Sequence, residues 1–148
     1  MKNCLKIFTL VVILTFGCQK NRPEPNAPKT DGKRSLQEFM KTIKPGRYEA
    51  SDTRKNQIYK NYLKLKVGMS KEEVSFLIGD PDYSDPSYGP KSFNPKWKGW
   101  SWKYNIVWEN TKFVNEHNDE WIKIYFGTDD RAHWIVASRK TGLPSIGR

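Results

Sequence analysis

Cysteine and histidine are scarce in this chain of 148 residues, which holds two of each. Cys4 lies inside an amino-terminal apolar run and Cys18 closes it, so the region beyond has no pair of thiols from which to build a disulfide. His117 and His133, with no cysteines near them, read as surface histidines rather than a zinc set. Asp129-Asp130 and Glu116/Asp119 are acidic, but their spacing matches no calcium loop. A Gly-rich phosphate loop and a G-x-S-x-G nucleophile elbow are both missing. Enzymes need converging groups with tuned pKa values; the sequence therefore reads as non-catalytic, with no cofactor and no metal. Long apolar runs are also lacking. The stretch from Ile7 to Phe16 is about half the ~20 residues that a membrane-spanning helix requires.

That short run is informative in another way. Lys2 and Lys6 precede or flank it, and Gly17-Cys18 ends it, so residues 1–17 read as a cleavable export signal. Gly17-Cys18 resembles a bacterial lipobox, with Thr15 and Phe16 where Leu-Ala or Leu-Ser is usual. The resemblance implies that Cys18 is the lipidated first residue of the mature chain; an ordinary secretory signal or a retained anchor are the alternatives. Gln19, where an aspartate would mark inner-membrane retention, implies the outer membrane. The whole chain carries 26 basic and 16 acidic side chains. Removing residues 1–17 takes away Lys2 and Lys6, which leaves 24 against 16, or +8. An exported protein of that charge meets acidic lipid headgroups and wall polymers, not nucleic acid.

Residues 18–34, with three prolines, many charges and no large apolar side chain, read as a disordered tether. A domain then spans residues 35–148. Ser35 with Glu38 forms a capping box, and Leu36, Phe39, Met40 and Ile43 make an amphipathic helix up to Lys44-Pro45-Gly46. Its basic flanks allow two placements: packed on the domain, or lying on anionic lipid. Asp52 is the expected N-cap of a second helix through Leu63, with Ile58, Tyr59, Tyr62 and Leu63 as its core stripe. Leu65 and Val67 are expected to point inward from an extended link, and Gly68 to make a corner. The next helix is the most fully specified. Ser70 with Glu73 caps Lys71–Ile78, Val74, Leu77 and Ile78 form its apolar face, and Gly79-Asp80-Pro81 stops it.

Asp80 to Gly99 contains four prolines and reads as a long loop, of the kind that is usually functional. Trp100–Trp108 alternates, with Trp100, Trp102, Tyr104, Ile106 and Trp108 on one face of a strand. Trp121–Phe126 is a second strand, with Trp121 and Tyr125 facing either solvent or a cover. Gly127–Asp130 turns the chain into a third strand, His133–Ser138. The pattern predicts an α+β fold of two layers, with helices on one face of a three-stranded antiparallel sheet and an extra N-terminal amphipathic helix.

The string VGMSKEEV, followed by an aliphatic pair, Gly79 and Pro81-Asp82, resembles the SmpA/OmlA (BamE-like) outer-membrane lipoproteins over about residues 61–86. The resemblance implies an α-α-β-β-β domain tethered to the periplasmic face of the bacterial outer membrane. It further implies a scaffold or accessory factor in envelope or β-barrel protein assembly. Related folds also serve as periplasmic inhibitors, so an inhibitor or sensor acting on a wall-active enzyme stays open, as does a wall-polymer binder. The family's Ser-Asp-Pro-aromatic stretch falls on Ser84, Asp85 and Pro86, with Ser87 intervening before Tyr88. Together with Phe76, which points away from the apolar face of its helix, the residues Tyr83, Asp85, Pro86, Tyr88, Phe93 and Trp97 form the expected partner surface. The expected partners are an envelope protein and the membrane, through the anchor and anionic lipid.

Overall fold

A computed structural model describes residues 30–88, 97–109 and 118–147. The export signal, Cys18, most of the tether, Phe93, Glu116 and His117 lie outside the described residues. Among those described, three α-helices and a five-stranded antiparallel sheet make an α+β domain: α1 (Leu36–Thr42), β1 (Tyr48–Glu49), α2 (Asp52–Asn61), α3 (Lys71–Ile78), β2 (Tyr83–Tyr88), β3 (Trp97–Trp108), β4 (Glu120–Phe126) and β5 (Ala132–Ala137). The sheet thus has two strands more than the periodicity predicts.

α3 forms where its local signals put it. Ser70 Oγ accepts the Glu73 N–H while Glu73 returns a bond to the Ser70 N–H, and Val74 and Ile78 are fully buried. Burying each of those side chains contributes about 1.5–3 kcal/mol. Gly79 ends the helix with φ 80° and ψ −178°, a region close to glycine-only, rather than the left-handed helical conformation. In α2 the N-cap is Ser51, not Asp52: Ser51 Oγ accepts from Arg54 N, and the helix tightens into a 3₁₀ turn at Tyr62–Lys64.

β3 is the spine. β4 pairs along one side in the register Trp100↔Phe126, Trp102↔Ile124 and Tyr104↔Ile122, and β5 continues the ladder through Ile124↔Ile135. On the other side β3 is long enough for two partners in succession, β2 over Trp97–Lys103 and β1 over Val107–Trp108. The segment expected as loop is therefore largely strand. Pro86 is tolerated because β2 is an edge strand. The Ser84 N–H turns outward to the Arg34 carbonyl at 2.9 Å, so the nitrogen of Pro86, two residues on, also faces away from β3.

Helices α2 and α3 cover the sheet face that carries Trp102, Tyr104, Ile122, Ile124, Phe126 and Ile135. α1 covers the opposite face. Phe39 packs on Tyr83 and Trp108, with ring centroids at 5.8 and 6.5 Å. Tyr83 sits opposite Lys103 and so shares a face with it, not with Trp102 or Tyr104. Trp108 leaves the face assigned by alternation because β3 bulges between Asn105 and Val107; Ile106 and Val107 both enter the main core and Trp108 is passed across. α2 and α3 thus share one face, and the additional N-terminal helix takes the other, with the stripe of α1 spent on the sheet.

Candidate docking surface

The residues expected at a partner surface separate into three groups. Phe76 stands alone on the outer side of α3 and is 87% exposed. Tyr83 is core, 8% exposed, in the cluster of Phe39 and Trp108. Asp85, Pro86, Tyr88 and Trp97 lie on the β2–β3 hairpin. There Tyr88 pairs with Trp97, and Trp97 meets Trp100 edge-on at 6.3 Å. Pro86 is exposed on the outer edge. Asp85 is half-buried across from Ser101; burial pushes its carboxyl above the usual range, while Lys123 and Lys103 pull it back. The structure therefore does not bring Phe76 and the hairpin together as one loop surface.

The face that carries Asp85, Ser101 and Lys103, opposite to that of Trp100, continues onto β4 and β5. Tyr125 stacks on Trp134 with centroids 5.2 Å apart, and Lys103 Nζ stands 3.5 Å above the Trp121 ring. Trp121 and Tyr125, expected to face outward, are half-buried. Rings with an ammonium over them combine apolar area with charge, a chemistry suited to binding rather than to bond breaking.

Two acids that the sequence did not single out hold this end of the molecule. Asp82, 3% exposed, accepts the Asn105 N–H at 2.6 Å and the Arg54 guanidinium at 3.1 Å, and Arg34 Nε donates to its carbonyl oxygen. Burial raises its pKa, and Arg54, the Asn105 amide and Arg34 each oppose that rise. Asp31, whose side chain is 1% exposed, takes the Trp102 Nε1–H at 2.7 Å and the Ser84 hydroxyl at 2.8 Å, with Lys71 Nζ at 3.8 Å. Residues 31–34, assigned to the tether by composition, are thereby bonded to the domain. Asp82 had a signal in the Gly79-Asp80-Pro81-Asp82 string; Asp31, in a stretch of tether-like composition, had none.

A cleft of about 410 Å³ opens between the Gly32–Arg34 segment, Arg54 and Asp80–Asp82. Its cations are already matched, Lys33 to Asp80 at 2.7 Å and Arg54 to Asp82. The hydrogen bond from Lys33 holds the Asp80 carboxyl below its usual range. Its walls are ion pairs internal to the fold rather than groups turned toward a ligand. Elsewhere His133 is exposed, 3.2 Å from Asp129, and no group of three potential metal ligands occurs among the described residues. Comparison with protein-family models, curated proteins and solved structures returns no match for the chain.

Proposed function

We propose that this chain is a non-catalytic lipoprotein, anchored through Cys18 to the periplasmic face of a bacterial outer membrane. There it holds a protein partner as a scaffold or accessory factor in envelope or β-barrel protein assembly. The observation that carries the partner-holding role is Phe76. Every other apolar side chain of α3 is packed: Val74 and Ile78 are buried, and Leu77 lies against the core. A large ring 87% exposed on a helix fixed by caps at both ends costs hydration in the free protein and loses little entropy on binding.

The anchoring and the assembly role rest on sequence: Lys2, Lys6 and the apolar run before Gly17-Cys18, and the resemblance of residues 61–86 to the SmpA/OmlA (BamE-like) lipoproteins. The order α2, α3, β3, β4, β5 supports that reading, with α1, β1 and β2 as additions to an α-α-β-β-β unit. A photo-crosslinker at position 76 in the full chain, activated in the native envelope, tests the proposal. A crosslinked assembly component is the expected product. A wall-active enzyme would turn the reading to an inhibitor or sensor, and no protein adduct at all would remove Phe76 as the anchor.

A further inference from the structure

The stretch from Lys60 to Val67 departs from the expected packing at two of its four apolar positions. Tyr62 and Leu65 are buried at 0% and 1%, while Leu63 is 70% and Val67 49% exposed. The cause is local: the helix tightens at Tyr62–Lys64 and the chain then extends, so Leu63 leaves the stripe of α2. Lys60, Lys64 and Lys66, all exposed, are their neighbours along the chain, and one Val67 methyl group lies against Gly147. Lys64 Nζ bonds the Asn61 amide oxygen at 2.9 Å, and among the described residues no carboxylate lies within ion-pair distance of any of the three. The nearby acids are occupied: Asp130 by Lys71 at 2.7 Å, Asp129 by His133 and the Arg131 N–H, and Glu73 by the Ser70 N–H and Arg131.

Four residues beyond Val67, Lys71 ties this shoulder of the chain to Asp31, where the chain from the anchor enters the domain. Gly68 N–H donates to Ala132 O at 2.7 Å and Ser70 bridges to Arg131; the next residue, Lys71, reaches both Asp130 and Asp31. From Cys18 to Asp31 is roughly 13 residues, with a full reach of about 45 Å. A tether that short holds the shoulder near the surface at about millimolar effective concentration.

We infer that the domain lies on its own membrane through this shoulder, Leu63 and Val67 entering the headgroup layer of an anionic bilayer and Lys60, Lys64 and Lys66 pairing with its phosphates. The inference deepens the proposed anchoring and rests on it for the effective concentration. It also moves the lipid contact away from α1, whose Leu36, Met40 and Ile43 pack around Phe39. Exposed aliphatics interspersed along the chain with lysines that no carboxylate pairs suit an anionic bilayer, which offers apolar depth beneath negative charge. Each basic residue near such a surface is worth about a fivefold gain in partitioning, so loss of all three reduces docking by about a hundredfold.

The test uses the full chain reconstituted in vesicles of phosphatidylcholine alone or with phosphatidylglycerol, followed by flotation and by amide hydrogen exchange of the Lys60–Gly68 peptide. Flotation with both vesicles, together with slowed exchange only in the anionic ones, is the expected result. The slowing should vanish in the K60E/K64E/K66E variant, whose unchanged thermal melt shows that it folds, and fade in Leu63→Ser. Equal exchange in both vesicles, with flotation intact, overturns the shoulder and leaves the anchor standing. Flotation only with anionic vesicles, lost in the triple variant, overturns the anchor and supports the shoulder. A chain that floats with neither overturns both.

Discussion

Asp82 Oδ2 lies 2.6 Å from the backbone nitrogen of Asn105, in the gap of the β3 edge between its two partners. β2 pairs as far as Lys103, and the other partner begins with Ala50 N–H to Ile106 O at 2.9 Å and Glu49 opposite Val107. A side-chain carboxylate thus stands in for a missing strand residue and satisfies an amide that would otherwise be buried without an acceptor. Asp82→Ala leaves that amide without its acceptor and the Arg54 guanidinium without its carboxylate, with only the Asp80 carbonyl at 2.9 Å remaining to it, and is expected to cost about 3 kcal/mol in urea unfolding. Asp82→Asn keeps a carbonyl oxygen and should cost clearly less. Equal losses in the two variants would mean that the oxygen does not bridge the gap.

Burial raises Tyr59 and Tyr62 to about 12, and raises Tyr104 further still; Glu120 adds to the rise at Tyr59. In the unfolded chain all three ionise near 10. Below pH 10 both states keep their phenol protons and the contribution is intact. Between pH 10 and 12 the unfolded chain loses protons that the folded one retains, so stability falls as pH rises. A phenolate absorbance titration should show these three of the seven tyrosines ionising only with unfolding. Tyr59→Phe should reduce the alkaline slope by one proton equivalent, and an unchanged slope would contradict the burial.

Glycine positions separate by what surrounds them. At Gly99, φ is 121° and an added Cβ would fall 2.1 Å from the Phe126 carbonyl oxygen, a backbone atom of the paired strand that has no room to move. At Gly142, φ is 68° and the space is open. Gly142→Ala is expected to cost about 1–2 kcal/mol, the ordinary left-handed penalty. Gly99→Ala should lower the melting temperature several times further. A reversed order would place the β3–β4 contact elsewhere.

What the sequence revealed follows from how local each signal is. α3 was legible to the residue because a capping box and a terminal glycine act within the ten positions from Ser70 to Gly79. The N-cap of α2 was displaced by one because Ser51 and Asp52 are both competent caps. β2 was hidden by Pro81 and Pro86, which read as loop unless one knows that Pro86 turns its nitrogen off a sheet edge. The crossing of Trp108 to the α1 face depends on a bulge, which alternation cannot encode. Leu63 and Val67 look like core in any apolar count; the 3₁₀ turn at Tyr62–Lys64 takes Leu63 off the stripe, and a 3.6-residue period does not show that turn. Asp82 was visible as a letter, but its burial needs Arg54, Arg34 and Asn105 gathered from three distant segments.

Phe76 and Tyr83, read together as one partner surface, are expected to behave as opposites. Tyr83 is 8% exposed and packs on Phe39 beside Trp108. Tyr83→Ala opens a cavity under α1 and should cost about 3 kcal/mol or more. Phe76 touches solvent over most of its surface, so Phe76→Ser should change stability by no more than about 0.5 kcal/mol. If Phe76 is the anchor of a protein contact, its loss should remove partner recovery from the native envelope at full domain stability, since truncating a central aromatic anchor typically costs ≥ about 2 kcal/mol of binding. Tyr83→Ala should lower recovery only in proportion to the fraction unfolded. The two variants, melted and co-purified in parallel, separate stability from docking on this domain. Full recovery with Phe76→Ser would move the partner contact to the β2–β3 hairpin, where Pro86, Tyr88 and Trp97 are the next residues to replace.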